Sequence, residues 1–374
     1  MIVPSQGGAV GPSVRIQRGL AATGTRLLRT LPPERAHEIV IWSLKRGLNR
    51  FLDGRPHLPA DLSFRTQVSG LGSFVHPVAL AAGFDKNAEG LKGLSRMGFS
   101  AIEVGTVTPE AQDGNPKPRI FRQPGQRALI NRMGFNNHGL KTVMANLAEA
   151  KSFPDLPVLG VNLGKNRQTS ANQALEDYLS GLRRVSGLKP SYFVVNISSP
   201  NTPGLRDLAS RSFLQSLAEM IRCDDSLDLS QVWIKLDPDQ EKSQFQDITA
   251  CISEEKFAGM VLTNTHRVEY PEQGGQSGHP LGIDSTRCLE WAWEVHKGLL
   301  PMIGSGGILS GSDIFQKMIR GASLTQIYTA MIYRGPYVVS MLLEELAYEL
   351  RLRKISCLSD IVGAYYQDSL LGKG

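Results

Sequence analysis

The chain has 374 residues, of which 41% are hydrophobic, so it can bury a large core in one or two domains. Its formal net charge is +6 at pH 7, but the basic residues are dispersed, and no basic tract with interleaved aromatic residues predicts a nucleic-acid partner. The four cysteines form no CxxC pair and no apolar segment reaches the roughly 18 residues that span a bilayer, so neither a zinc site nor a membrane-spanning helix is predicted.

The first 30 residues form a basic lead that we expect to be partly flexible. They contain four arginines, Arg15, Arg18, Arg26 and Arg29, and no acidic residue. This composition is compatible with a flexible tail, a mitochondrial transit segment or a surface that meets anionic lipid. The sequence of this segment alone does not distinguish these three possibilities.

Residues 32–48 predict a helix, because prolines stand at its start, an acid lies in its first turn and Gly47 lies near its end. Together with the segment around residues 20–31, this helix is expected to form a pair outside the main domain. We therefore assign residues 31–63 to a small helical domain. The pair either packs on the main domain or inserts an apolar face into a membrane surface.

From about residue 64 the sequence alternates short apolar runs with polar or glycine-rich loops and helix-like stretches. Continuous apolar runs indicate strands that are buried on both faces, and their alternation with helices indicates parallel βαβ units. Eight such units within residues 64–374 predict an α/β fold, a closed (β/α)8 TIM barrel. The runs are residues 78–82, 101–107, 158–163, 192–197, 232–236, 259–263, 301–303 and 324–329.

An open, doubly wound sheet is the competing architecture. The first strand of such a sheet should end in GxGxxG, whereas the first run here is followed by GFDK at residues 83–86. The sequence therefore favours the barrel.

Active sites of such barrels lie at the carboxyl ends of the strands. In this sequence lysines, amides and hydroxyls follow the predicted strands, and the segment NISSPNT at residues 196–202 is the richest example. Because few acidic residues occur at these ends, a hydrolase with paired carboxylates is poorly supported.

The segment GSGG at residues 304–307 follows the seventh predicted strand, where barrels often bind phosphate. Its glycines allow the backbone N–H groups to approach a phosphate closely. A phosphate-bearing cofactor beside Lys235 indicates flavin mononucleotide (FMN) or pyridoxal phosphate. With pyridoxal phosphate, Lys235 would form a Schiff base. With FMN, it would place positive charge beside the flavin ring. The many amides and hydroxyls at the other strand ends favour the flavin and a flat, amide-rich substrate.

Seven segments, in the order in which they occur, resemble the dihydroorotate dehydrogenase family. They are residues 81–87 (AAGFDKN), 103–109 (EVGTVTP), 131–137 (NRMGFNN), 160–166 (GVNLGKN), 196–202 (NISSPNT), 263–265 (TNT) and 277–278 (SG). The resemblance extends from about His37 to the C-terminal region. It implies an FMN-containing barrel that oxidises (S)-dihydroorotate to orotate in pyrimidine synthesis.

Ser199 stands where the soluble class of this family carries its cysteine base, so the resemblance is to the quinone-linked, membrane-associated class. Residues 33–37 (PERAH) also resemble the start of the helical domain of that class. This implies a quinone partner and peripheral attachment, on the cytoplasmic face of a bacterial inner membrane or, alternatively, on the mitochondrial inner membrane. We expect a monomer.

The resemblance also assigns roles to single residues. Ser199 takes the C5 proton of dihydroorotate, Thr202 and Phe135 line a water path behind it, and Lys86 adds charge. His37 and Arg122 lie along the quinone passage, and no metal is implied. The implied substrate contacts are Lys86, Asn131, Arg132, Met133, Gly134, Phe135, Asn196, Asn201, Asn264 and Thr265. The implied FMN contacts are Ala82, Gly83, Thr106, Asn162, Asn196, Lys235, Thr263, Gly278, Gly306, Gly307, Tyr328 and Thr329.

Three alternatives remain for the function. The first is a fumarate- or NAD-linked FMN dehydrogenase of the same family. The second is a barrel lyase that forms a Schiff base on Lys235, and the third is a membrane-binding module without enzymatic activity. Preference for fumarate or NAD as electron acceptor would identify the first alternative. Borohydride trapping of substrate on Lys235 would identify the second, and liposome binding without turnover would identify the third.

Overall fold

The regular elements of the chain alternate between helices and strands. A computed structural model describes residues 12–49, 53–153, 155–199 and 208–367. The helices in these ranges are Pro12–Leu28 (α1), Pro33–Lys45 (α2), Leu91–Leu94 (α3), Gly139–Ala150 (α4), Ala174–Ser186 (α5), Arg211–Arg222 (α6), Lys242–Glu254 (α7), Gly282–His296 (α8), Gly311–Ile319 (α9), Thr329–Arg334 (α10) and Val338–Leu352 (α11). The strands are Thr66–Val68 (β1), Gly72–Phe74 (β2), Val78–Leu80 (β3), Ala101–Val107 (β4), Ile120–Gln123 (β5), Ala128–Asn131 (β6), Val158–Leu163 (β7), Tyr192–Asn196 (β8), Val232–Leu236 (β9), Gly259–Leu262 (β10), His266–Val268 (β11), Gly274–Gly278 (β12), Met302–Ser305 (β13) and Ala322–Ile327 (β14).

Eight parallel strands close into a barrel in the order β3-β4-β7-β8-β9-β10-β13-β14, and β14 pairs back with β3. Apart from crossover insertions, each strand pairs with the next barrel strand along the chain, as in a (β/α)8 barrel. The predicted fold is therefore confirmed. The strand ends differ from the predicted runs by no more than two residues.

The amino-terminal end of the barrel is filled by large side chains. Tyr192 and Trp233 meet edge to face inside it, with ring centroids 6.1 Å apart. Glycines on neighbouring strands make room for them, because a Cβ on Gly160 would lie 2.2 Å from the Tyr192 ring and one on Gly259 would lie 2.4 Å from the Trp233 ring. The hairpin of β1 and β2 packs its apolar side chains on this cluster. The barrel is thereby closed at this end.

A four-stranded antiparallel sheet, in the order β11-β12-β6-β5, is inserted in the crossovers of the barrel. It pairs Ala128 with Gly278 and Asn131 with Gly275, and so it brings two distant predicted site segments together. This sheet is not predicted from the sequence. Its strands have only three to five residues, and β12 reads GGQSG, which carries no strand pattern.

Helices α1 and α2 precede the barrel. The predicted helix over residues 32–48 is present as α2, and the segment expected to pair with it overlaps α1 and the connection that follows. Arg122 of β5 holds that connection, since its Nη1 donates to the carbonyls of Arg29 and Leu31 at 3.1 and 2.7 Å. None of the helices in the described ranges is long and apolar enough to cross a membrane.

Arg119 anchors α2 to the barrel through a largely buried ion pair. Its Nη2 and Nε lie 2.7 and 2.9 Å from Glu34 Oε1, and the two side chains are only 7% and 15% exposed. We expect Arg119→Met to lower the free energy of unfolding by about 3 kcal/mol, because it leaves a poorly solvated carboxylate without its closest cation. Urea unfolding of the purified protein measures this loss.

Lys117→Met is the matched control for this prediction. Lys117 lies 3.4 Å from the same Glu34 carboxylate, but its side chain is 58% exposed. Solvent screening should limit its loss to about 1 kcal/mol or less. Equal losses from the two substitutions would contradict the anchoring role of Arg119.

Candidate active site

A cavity opens at the carboxyl end of the barrel. Five of the eight barrel strands contribute to its wall, the residues that directly follow β3 and β10 complete it, and the antiparallel sheet closes one side. It is lined by Ala81, Ala82, Gly83, Lys86, Thr106, Ile120, Leu129, Asn131, Met133, Gly134, Phe135, Asn196, Ser199, Lys235, Thr263, Asn264, Thr265, Ser277, Gly278, Leu281, Ser305, Gly306, Gly307, Ile308, Gln326, Ile327, Tyr328 and Thr329. We call it the barrel cavity.

The barrel cavity brings together all but four of the predicted catalytic, substrate and flavin residues. Asn201 and Thr202 lie outside the residues that the structure describes. Arg132 does not line the cavity, and its guanidinium instead donates to Glu272 at 2.9 Å. Asn162 is fully buried and stands behind the cavity wall. The functional roles of these residues remain predictions.

The charge of the barrel cavity comes from two lysines, Lys86 and Lys235. No aspartate, glutamate, histidine or cysteine occurs in its lining as the structure describes it. Asp85, next to Lys86 in the chain, instead accepts hydrogen bonds from the N–H groups of Glu89 and Gly90 at 2.9 and 2.7 Å. A cavity with two cations and no acid is suited to anionic groups such as carboxylate and phosphate.

Lys86 is half-buried at the edge of this cavity. Its Nζ donates to the carbonyl of Gly83 at 2.7 Å. Burial, with a contribution from Arg119, lowers the pKa of Lys86 to about 8. Its ammonium group is thus mostly charged at neutral pH, and it becomes neutral within the mildly basic range.

A network of amides and hydroxyls covers the middle of the cavity wall. Asn196 Nδ2 donates to Thr106 Oγ1 at 3.1 Å, and Thr106 Oγ1 donates to Asn162 Oδ1 at 2.5 Å. Asn264 Nδ2 donates to Ser198 Oγ at 3.0 Å, and Ser198 Oγ donates to Asn196 Oδ1 at the same distance. Because these groups hold one another, their orientation is fixed before a ligand binds.

Glu103 is a buried residue that the sequence analysis did not assign to the site. It lies directly behind the cavity wall, where it accepts from Asn162 Nδ2 at 2.7 Å and from Gln326 Nε2 at 2.5 Å. Its carboxylate is 3.9 Å from Lys235 Nζ, so it balances part of the charge of this lysine. A single acid within the apolar run of residues 101–107 was the signal that could have indicated it.

The glycine loop of residues 304–307 approaches the amino-terminal turn of α8. Gly306 and Gly307 have φ angles of +99° and +76°, and a Cβ on Gly307 would lie 2.1 Å from the Cα of Gly282. Only glycine fits this close approach. Two hydroxyls of the same cavity, Ser277 Oγ and Thr329 Oγ1, are 2.8 Å apart. Gly306, Gly307, Ser277 and Thr329 thus offer backbone and hydroxyl groups to the cavity, and we call these four residues the cradle.

A second, mostly apolar cavity lies between α1, α2, α10 and the barrel. Both predicted quinone-site residues, His37 and Arg122, line it. It shares Ile120, Leu129 and Tyr328 with the barrel cavity, so the two cavities adjoin. The wall consists of Thr25, Leu28, Arg29, Pro33, Ala36, His37, Ile39, Val40, Ser43, Leu44, Asn49, Phe84, Met97, Ile120, Arg122, Leu129, Tyr328, Met331, Ile332, Gly335 and Pro336. We call it the helix cavity.

Three aromatic rings connect the helix cavity with the barrel cavity. His37 meets Phe84 edge to face at 5.3 Å between centroids, and Phe84 meets Tyr328 at 5.9 Å. Burial, together with the nearby charge of Lys86, lowers the pKa of His37 to about 3. His37 is therefore neutral at physiological pH and adds no charge to the mostly apolar helix cavity.

Comparison with known proteins gives one consistent family. The family model described as dihydroorotate dehydrogenase matches residues 63–350. A dihydroorotate dehydrogenase (quinone) of Myxococcus xanthus is 40% identical over 354 residues, which cover 91% of this chain and 96% of that protein. The mitochondrial dihydroorotate dehydrogenase (quinone) of Mus musculus is 39% identical over 356 residues, and this alignment covers 90% of this chain and 88% of that protein.

Solved structures agree with these sequence relatives. A dihydroorotate dehydrogenase of Eimeria tenella in complex with ferulenol superposes with a TM-score of 0.79 at 36% identity, covering 90% of this chain and 96% of that one. The ligand-free form from the same organism gives the same TM-score and identity and covers 99% of its own chain.

Proposed function

The chain belongs to the dihydroorotate dehydrogenase family, and we propose that it oxidises (S)-dihydroorotate to orotate in pyrimidine biosynthesis, with bound FMN as hydride acceptor and a membrane quinone as final electron acceptor. One observation carries this proposal: a polar cavity, whose described lining has two lysines and no acid, adjoins an apolar cavity beneath the amino-terminal helices. The first cavity suits an anionic, amide-bearing substrate, and the second suits a quinone.

The residues of the barrel cavity fit FMN. The cradle of Gly306, Gly307, Ser277 and Thr329 presents small groups where a phosphate needs close contact. Lys235 lies at the end of β9 and places positive charge at the cavity floor. Bound FMN supplies the acceptor for the hydride that leaves C6 of the substrate.

Amide and hydroxyl side chains hold the substrate against the cofactor. Asn131, Asn196, Asn264 and Thr265 line the cavity and present the donors and acceptors that the ring carbonyls and N–H groups of dihydroorotate require. Lys86 adds a positive charge for its carboxylate. Because the amide network is held in place, the C5 and C6 atoms of the substrate are oriented when it binds.

Ser199 is the proposed base for the C5 proton. It lines the cavity and is 5% exposed, so the proton transfer is shielded from bulk water. The described residues of the cavity lining offer no carboxylate, imidazole or thiol for this role. A serine hydroxyl is a weak base alone and needs a path that removes its proton. Phe135 lines the same cavity, and we retain Phe135 and Thr202 as the proposed walls of that path.

The helix cavity is the proposed quinone site, with His37 and Arg122 in its wall. The outer surfaces of α1 and α2 carry large exposed apolar side chains, among them Ile16, Leu20 and Trp42. Such side chains on short helices are suited to peripheral contact with a membrane. We propose this contact on the cytoplasmic face of a bacterial inner membrane, with residues 31–63 as the access domain and the chain as a monomer.

A comparison of electron acceptors tests the proposed function. Purified yellow protein with dihydroorotate should reduce a short-chain quinone at least about tenfold faster than it reduces fumarate or NAD, because the helix cavity is mostly apolar. Preference for fumarate or NAD would overturn the quinone assignment. Borohydride trapping of substrate on Lys235 would instead support a Schiff-base lyase.

A further inference from the structure

Lys317 is a buried lysine behind the glycine loop, and it does not line the barrel cavity. Its side chain is on α9 and is 2% exposed. Its Nζ donates to Ser285 Oγ at 2.6 Å and to Thr286 Oγ1 at 3.0 Å, both in the first turns of α8. Its stem lies along the loop, because a Cβ on Gly304 would be 3.1 Å from Lys317 Cδ.

This position is unfavourable for a lysine unless a negative charge lies nearby. No ion pair joins Lys317 to a carboxylate in the part of the chain that the structure describes. The amino-terminal turn of α8 carries the positive end of the helix dipole, which also disfavours a cation. Burial lowers the pKa of Lys317 to about 7, which agrees with this environment. A hydrophobic residue would fill the same space without this cost.

Ser285 connects Lys317 to the loop. A lysine ammonium can only donate, so Ser285 Oγ accepts from it and its own hydrogen remains for a carbonyl. Two carbonyl oxygens accept from Ser285 Oγ, that of Gly306 at 3.0 Å and that of Gly282 in the same helix at 3.2 Å, and the Gly306 carbonyl is the nearer. In a trans peptide the carbonyl and the N–H point to opposite sides. The N–H of Gly307 therefore points away from Ser285, and Gly307 lines the barrel cavity whereas Ser285 does not.

We propose that Lys317 is a positioning residue for the phosphate of the bound cofactor. Through Ser285 it holds the peptide between Gly306 and Gly307 with its N–H toward the cavity, and its charge attracts the phosphate from behind the loop. The Asp313 carboxylate acts on Lys317 only from a distance, without an ion pair, and the anion thereby supplies a further negative charge. This inference rests on the proposed function only for the identity of the phosphate-bearing ligand.

Titration of the flavin-free protein with FMN and with riboflavin tests the proposal. Riboflavin has the same ring and ribityl chain but no phosphate, so the ratio of the two dissociation constants isolates the phosphate. Lys317→Met keeps an unbranched apolar stem and removes the charge. It should weaken FMN binding by about tenfold and leave riboflavin binding within about twofold. Quenching of flavin fluorescence gives both constants without any turnover.

Two further variants complete the test. Ser285→Ala keeps the charge and removes the connection to Gly306, so it should weaken FMN binding by about threefold to tenfold without affecting riboflavin. Arg287→Met is the matched control, because it removes an equal charge from the exposed surface of α8. It should change neither constant by more than about twofold.

The outcomes separate this proposal from the proposed function. If both ligands weaken equally in the Lys317 and Ser285 variants, or if neither changes, Lys317 has only a structural role and the inference is wrong. If the parent protein does not bind FMN, or binds it no better than riboflavin, the phosphate site itself is wrong and the proposed function loses its cofactor. A Lys317 variant that fails to fold leaves the Ser285 variant to decide.

Discussion

Ser199→Ala should slow the reduction of bound flavin by dihydroorotate about 10³-fold, which lies within the range for loss of a general base. Among the residues that the structure describes, the cavity lining has no carboxylate, imidazole or thiol that could replace the serine, and Lys86 is mostly a cation at neutral pH. Flavin content should stay unchanged, because the cradle and Lys235 are not affected. Anaerobic stopped-flow absorbance measures the rate.

Ser199→Cys is the control that separates lost chemistry from lost packing. A thiol is more acidic than a hydroxyl and of similar shape, so this variant should recover part of the rate, with its optimum moved in pH. If Ser199→Ala reduces its flavin as fast as the parent protein, Ser199 is not the base. A loss of flavin from both variants would indicate a structural role instead.

Ala36→Phe should slow the reaction with quinone about 30-fold while leaving the reaction with dihydroorotate unchanged. Ala36 is 6% exposed and lines the helix cavity from α2, so an aromatic ring at this position occupies the space that we assign to the quinone. The expected loss corresponds to about 2 kcal/mol of apolar burial. Single-turnover oxidation of the reduced protein by a short-chain quinone, compared with flavin reduction, measures the two steps separately.

Arg35→Phe is the matched control for the quinone prediction. It places the same ring one residue earlier on α2, at an exposed position that does not line the helix cavity. Its quinone rate should remain within about twofold of the parent. Equal loss in both variants would point to a general disturbance of α2, and no loss in Ala36→Phe would place the quinone elsewhere.

The barrel could be predicted from the sequence because strands buried on both faces leave continuous apolar runs. The contents of the barrel cavity could be predicted for a geometric reason, since parallel strands bring their carboxyl ends to one rim. Residues as distant as Lys86, Asn196 and Lys235 therefore meet there without any local signal that links them. The segments that resemble the family added the individual roles, which remain predictions.

Other features depend on tertiary contacts that a pattern does not record. The antiparallel sheet was missed because β12 is glycine-rich and its partners are distant in the chain. Lys317 was missed because a lysine in a helix is usually solvated, and only the position of α9 against α8 shows that it is buried. Arg132 adjoins site residues in the chain, yet its guanidinium pairs with Glu272, a contact between segments 140 residues apart that no local pattern records.

The most direct measurement of the central claim is an anaerobic titration of the purified protein with dihydroorotate, followed by the absorbance of bound flavin. The account predicts one bound flavin per chain, bleached by an equimolar amount of dihydroorotate and restored to its oxidised colour by a short-chain quinone. A chain that binds no flavin, or whose flavin stays oxidised in the presence of dihydroorotate, would contradict it.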